Sequence, residues 1–211
     1  KEEIRKWVAA LGANVIETEL RSQFRCNGSD GYLAWLDDVL NIRETANTSL
    51  DVSDYDFRVF DSPSELHEII RERNRGTNKA RMVAGYCWDW KSKKDSKAMD
   101  IVLPEYGYSA RWNLGSDGML WILKPTSVEE VGCIHTCQGL EMEYVGVILG
   151  TDLVCRDGHI VTNPANRSTQ DKSIHGYKKL MRLNDLVQGL RLVFVLVVFN
   201  IALFFIVAEL L

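Results

Sequence analysis

Residues 134–150 read IHTCQGLEMEYVGVILG. The second half, YVGVILG, is a short unbroken apolar run rich in Val, the pattern of a strand buried on both faces of a parallel sheet. The first half, HTCQGLE, is polar and gathers His, Thr, Gln and Glu around one glycine. In an open α/β sheet, ligands bind at the connections outside the carboxyl ends of the strands. The spacing predicts a strand over 131–136, with His135 and Thr136 at its carboxyl end. Gly139 permits close approach of the backbone to a ligand, and Glu141 can accept hydrogen bonds from ribose hydroxyls. A solvated connection whose polar residues only cap a turn fits the same letters.

Working outward, the pattern alternates helices with short apolar strands. Ile4, Trp7, Val8 and Leu11 have helical spacing, closed by Gly12. Asn14 to Phe24 reads as a strand. Ser29 or Asp30 can cap a helix running to about Leu40. YDFRVFD, 55–61, alternates as a strand should. SPSELHEIIRERN is a helix with Ser62 as N-cap, Pro63 at the first position and Glu65 completing a capping box. ARMVAGY, 80–86, is the next strand. Residues 87–118 are Trp-rich and read as an irregular insertion or active-site loop. LVCRDGHIV is a hairpin turning at Asp157–Gly158. Such alternation means an α/β fold with a mainly parallel sheet.

The bulk numbers exclude some classes. The chain has 211 residues, 46% of them hydrophobic, enough for one domain with a real core. A net charge of −4 gives no global basic field, so any nucleic-acid site is a local patch. Five scattered cysteines without a CxxC pair suggest a reducing compartment. The opening KEEIRKWVAALG has no apolar signal core, and the expected location is cytoplasmic. The chain starts without Met and is expected to be a piece of a longer protein.

HTCQGLEMEYVGVILG resembles motif V of superfamily 1 helicases, where a His-containing strand leads to Lys or Gln, then Gly-Leu-Glu, then an apolar strand. Upstream, ELRSQFRC, 19–26, is similar to the helicase motif Leu-x-x-Asn-Tyr/Phe-Arg-Ser, with Gln23 in place of the usual Asn. With FRCNGSDGYLAWLDDVL and AGYCWDW, these stretches resemble uncharacterised bacterial helicase-like proteins related to the Schlafen group 3 helicase domain. The resemblance covers about residues 15–180. It implies a RecA-like, P-loop-NTPase-type α/β domain over 1–185, the second motor domain only, with a mainly parallel sheet flanked by helices. It implies Arg25 as the γ-phosphate-contacting catalytic arginine. Gln138, Gly139 and Glu141 fall to the nucleotide, and His135 and Thr136 to coupling with the nucleic acid. ATP with Mg²⁺ would be shared with an upstream RecA-like domain, and single-stranded DNA or RNA would be the partner. An arginine on a transferring phosphate can be worth about 10³–10⁵ in rate.

Parts of a motor are missing from these letters. No GxxxxGK followed by Ser or Thr cradles a phosphate, and no apolar run ends in Asp-Glu. The family's late arginine motif, expected after about residue 180, is replaced by NDLVQGLRLVFVLVVFNIALFF. The chain alone is therefore expected to be inactive. The alternative reading is a non-enzymatic nucleotide- or nucleic-acid-binding module, membrane-tethered by its tail. Residues 186–211 form an apolar tail, with 192–211 long enough to span a bilayer, although its Val and Phe content would read the same way as two buried strands. A run this long without Gly or Pro is expected to lie outside the sheet, and a degenerate end is favoured over a membrane anchor.

Residues 71–97 are basic, through Arg71, Arg73, Arg75, Lys79, Arg81, Lys91, Lys93, Lys94 and Lys97, with Tyr86, Trp88 and Trp90 interleaved. Bases stack on such rings while cations track phosphates; core aromatics beside a solvated helix end read the same way. Cys133, His135 and Cys137 lack a fourth ligand, so no metal site is expected. His67, His159 and His175 read as surface residues.

Overall fold

The computed structural model describes residues 2–13, 30–40, 44–46, 49, 56–113, 118–137, 140–172 and 205–208. The strand expected over 14–24 and the domain boundary at 185 lie outside them. Helix α1, Glu2–Ala10, ends at Gly12 (φ +63°). Helix α2, Asp30–Val39, buries Tyr32, Leu36 and the following Leu40. Strand β1, Arg58–Phe60, leads into helix α3, Pro63–Thr77. The Ser62 side chain accepts from the Glu65 N–H at 3.5 Å, and Asn78 closes the helix in the left-handed region. The sequence signals for this helix are thus the ones the chain uses.

Strand β2, Ala80–Ala84, is buried throughout and forms the middle of the sheet. Strands β3, Ile101–Leu103, and β4, Tyr108–Trp112, form an antiparallel hairpin. Strand β5, Glu130–Cys133, is followed by helical turn α4, Ile134–Cys137, and then strand β6, Tyr144–Ile148. Strands β7, Leu153–Arg156, and β8, His159–Thr162, form a separate antiparallel pair. Asp157 and Gly158 both have positive φ at its turn, which is the geometry a tight two-residue hairpin needs. Strand β9 is Phe205–Ala208. Among the described residues the main sheet runs β1-β9-β6-β2-β5-β4-β3, parallel except for β3 against β4. The fold is therefore mixed α/β with a mostly parallel sheet, compatible with a Rossmann or RecA-like architecture.

Four expectations need correction. The 87–118 insertion is not wholly irregular: β4 pairs in parallel with β5 and extends the sheet. Tyr108, Ala110 and Trp112 face inward while Ser109 faces out, a period of two hidden in a short segment behind the Pro104–Tyr106 turn. The apolar tail is not wholly outside the sheet, because Phe205–Ala208 lies between β6 and β1 and pairs in parallel with both. Its Phe-Ile-Val sequence suits a strand between two others. The strand expected over 131–136 stops at Cys133 and turns helical. Gly132 makes this possible: a side chain there would meet the Cys137 sulfur and the Trp121 ring. Lastly, His67 is 2% exposed. It sits on the inner face of α3, one ring nitrogen 3.0 Å from the Tyr108 hydroxyl and the other 2.7 Å from the Val128 carbonyl. Burial lowers its pKa below the ordinary 6.5. His159 and His175 have no described side chains.

The amino end of the sheet is closed by Arg81, which is fully buried. Its guanidinium donates to Ser127 Oγ (2.9 Å), Asn74 Oδ1 (2.5 Å), Asn78 Oδ1 (2.9 Å) and the carbonyls of Ala80, Ile122 and Lys124 (2.8, 2.7 and 3.0 Å). Burial lowers its pKa to about 10. Among the described residues no helix is long and apolar enough to cross a membrane.

Candidate functional site at the carboxyl end of the sheet

The register pairs Ala84 with both Cys133 and Ile148, so β2, β5 and β6 end together. From β2 the chain goes on to β3, β4 and β5 on one side. From β6 it goes on to β9 on the other. The crevice between the ends of β2 and β6 is therefore a switch point, the usual ligand-binding place in open α/β sheets. Gly85 and Gly150 line it. A side chain at Gly150 would collide with Cys87, and one at Gly85 would lie 3.6 Å from an Asp152 carboxylate oxygen.

A strap, Asn163–Asp171, crosses this crevice. Arg167, buried, pairs with Asp152 at 3.0 Å and Asp171 at 2.7 Å. The Ser168 N–H donates to the Tyr86 carbonyl at 2.9 Å, and its hydroxyl donates to Asp89 at 2.5 Å. Gln170 Oε1 accepts from the Tyr86 hydroxyl (3.1 Å) and the Trp90 N–H (3.2 Å). Thus the strap ties the exit of β6 to the exit of β2. Burial pushes the Tyr86 phenol up to about 12 and the Cys87 thiol well up, so neither is ionised near neutral pH. The sequence reading missed Arg167, Asp152 and Asp171; an Arg and Asp four residues apart in a loop give no signal until the fold buries them.

The residues picked from sequence are only partly brought together. Arg25, Gln138 and Gly139 lie outside the described residues, and of His135 only the backbone is described. His135 and Thr136 belong to α4, which packs against β5 and β2 at the carboxyl end. Thr136 is half-buried, and Cys137 is fully buried with its thiol pushed well up. The connection then returns to the amino end, where the N–H groups of Glu143 and Tyr144 bond the Lys79 carbonyl at 2.8 and 3.1 Å. Glu141, exposed, lies on this returning leg. Among the described residues, no three His, Cys, Asp or Glu side chains could jointly hold a metal.

The basic, aromatic stretch 71–97 splits in two. Arg81 is core, Arg71 pairs with Glu129 and Glu68, Arg73 reaches Asp56 at 3.8 Å, and Lys79 reaches Glu143 at 3.7 Å. Lys91, Lys93, Lys94 and Lys97 are exposed. Tyr86 and Trp90 are 6% and 9% exposed and pack on Trp112 with ring centroids 5.8 and 6.0 Å away. Their rings serve the core, against the expectation that they stack on bases. Trp88 is half-buried beside Trp112 and Gly150.

Comparison with known proteins adds the family. The model described as Schlafen group 3, DNA/RNA helicase domain, matches residues 1–196. An uncharacterised protein of Saccharomyces cerevisiae, YPL245W, is 25% identical over 148 residues, covering 64% of this chain and 32% of the yeast protein. The chain thus spans about a third of the length of that curated relative. No solved structure matches. The match covers nearly the whole chain, and the protein belongs to the Schlafen group 3 DNA/RNA helicase domain family.

Proposed function

We propose that the chain is the second RecA-like domain of a superfamily 1 helicase-like ATPase acting on single-stranded DNA or RNA. ATP and Mg²⁺ are held jointly with a first RecA-like domain upstream, since GxxxxGK does not occur in this sequence. Arg25 stabilises charge on the transferring phosphate, and Gln138, Gly139 and Glu141 contact the nucleotide. His135 and Thr136 couple it to the nucleic acid. The observation supporting this most is the α4 turn, which bears His135 and Thr136 at the carboxyl end of β5 and packs against the central strand. A ligand at that end touches the turn and, through it, the sheet.

The test is steady-state ATPase activity of the full-length protein, with and without single-stranded DNA. Arg25→Ala is expected to lower kcat by about 10³ with little change in nucleotide affinity. Thr136→Val is expected to lower stimulation by DNA while sparing basal turnover. An unchanged kcat in Arg25→Ala, or turnover by the 211-residue chain alone, overturns the reading.

A further inference from the structure

We infer that the loop Lys91–Lys97 is a binding surface for the sugar-phosphate backbone of single-stranded nucleic acid, a partner that rests on the helicase-like reading above. Lys91, Lys93, Lys94 and Lys97 are all exposed, in a chain whose net charge is −4. Among the described residues none of the four forms an ion pair, whereas Arg71, Arg73 and Lys79 each reach a carboxylate. Of that run only Arg75, on helix α3, is likewise exposed without an ion pair among the described residues, and the four loop lysines are its uncompensated cluster.

The loop's backbone is also held in place. Lys91–Lys93 is one 3₁₀ turn. The buried Asp100 carboxylate accepts from the Ser92 N–H and, through its other oxygen, from the Trp112 N–H, both at 2.8 Å. Arg111 donates to the Ser96 carbonyl at 2.6 Å. At the other end Gln170 holds the Trp90 N–H. A run of lysines that served only solubility would need no such frame. The Lys93 ammonium lies 3.8 Å from the Trp90 ring centroid, so the ring supports the cation from beneath while its own body is buried. The surface follows phosphates and offers no free stacking platform from Tyr86 or Trp90, so its binding is insensitive to base identity.

Gln170 belongs to the strap that grips Asp152 through Arg167, so the lysine loop and the β6 exit share one element. Strand contact at the loop is thereby linked mechanically to the switch-point crevice.

The experiment is fluorescence anisotropy of the 211-residue chain with labelled oligo(dT) and oligo(dA), titrated across salt. For single strands log K falls with log salt by about 0.7 per neutralised phosphate. Losing two contacts in Lys94→Glu/Lys97→Glu should lower that slope by about 1.4 and the affinity at 0.1 M salt about 25-fold. Asp95→Asn, which removes the loop's exposed acid, should tighten binding. Oligo(dT) and oligo(dA) should behave alike. Unchanged affinity and slope in a double variant with native circular dichroism overturns the inference. So does a wild-type chain that binds no oligonucleotide at low salt, or one whose loop lysines serve only anionic lipid vesicles. If the double variant loses binding but the full-length protein shows no nucleotide-dependent change, the surface stands and the motor reading falls.

Discussion

Arg81 and Arg167 are both buried, at opposite ends of one sheet, and they are neutralised in opposite ways. Arg81, at the start of β2, is caged by neutral oxygens from the side chains of Ser127, Asn74 and Asn78 and from four carbonyls. Arg167, beyond the end of β6, is held by two carboxylates, Asp152 and Asp171. A neutral cage spreads one charge over many dipoles and is indifferent to mild acid. A pair of carboxylates holds its guanidinium by charge, which a competing anion can contest. The neutral cage stands at the end with no expected ligand. The charged lock stands at the switch point, where the nucleotide of the proposed function would bring more negative charge.

Arg167→Ala should produce the largest effect. It strands two buried carboxylates, at a cost of about 3–5 kcal/mol at neutral pH, read as a lower urea midpoint. The stranded carboxylates are buried, so added salt should not restore the loss. A loss under about 1 kcal/mol would remove the contrast between the two ends.

Next, Arg81→Met should cost about 3 kcal/mol, since several buried acceptors lose their donor together. This deficit should be flat with pH, because every direct partner is neutral. A loss under about 1 kcal/mol would mean that water replaces the guanidinium.

His67 belongs to the same neutral frame, joining α3 to Tyr108 and Val128. Its pKa is lowered in the folded state, so the unfolded chain binds the proton more readily. Wild-type stability should therefore be full above pH 6.5 and fall as pH drops below it. His67→Gln should cost about 2 kcal/mol at pH 7.5, with a flatter acid limb in a pH series of melts. If the wild-type limb below 6.5 matches that of the variant, the imidazole does not carry it.

The smallest expected effect is Ser62→Ala, about 1 kcal/mol from the lost N-cap of α3. Urea denaturation should show it without altering anisotropy-detected binding at the lysine loop. A large loss of binding would connect this helix end to the carboxyl face in a way the hydrogen bonds do not.

Local codes were legible in the letters. Ser62-Pro63 starts a helix because the Ser62 hydroxyl accepts the Glu65 N–H and Pro63 has no N–H to satisfy. Asp157–Gly158 turns a hairpin because both tolerate positive φ. YVGVI is a central strand because no position in it wants water. The polar HTCQGLE stretch was legible as a connection, and the wider likeness of residues 15–180 to the Schlafen group 3 helicase domain agrees with the family match.

The sequence by itself determined the α/β class and the helix and hairpin ends, because these follow from spacing over a few residues, and the family was reached by resemblance. Only tertiary structure decided which basic residues face water. Arg81 and Lys91 look alike as letters; one fills a cage that Ser127, Ile122 and Lys124, more than forty positions away, help to close, and the other stands on a loop fixed from below. Only tertiary structure moved Tyr86 and Trp90 into the core, gave Phe205–Ala208 a place between β6 and β1, and brought Arg167 to Asp152. The physical reason is common to all four. Burial and charge pairing depend on partners distant along the chain, and no local pattern encodes a partner that has not yet been brought near.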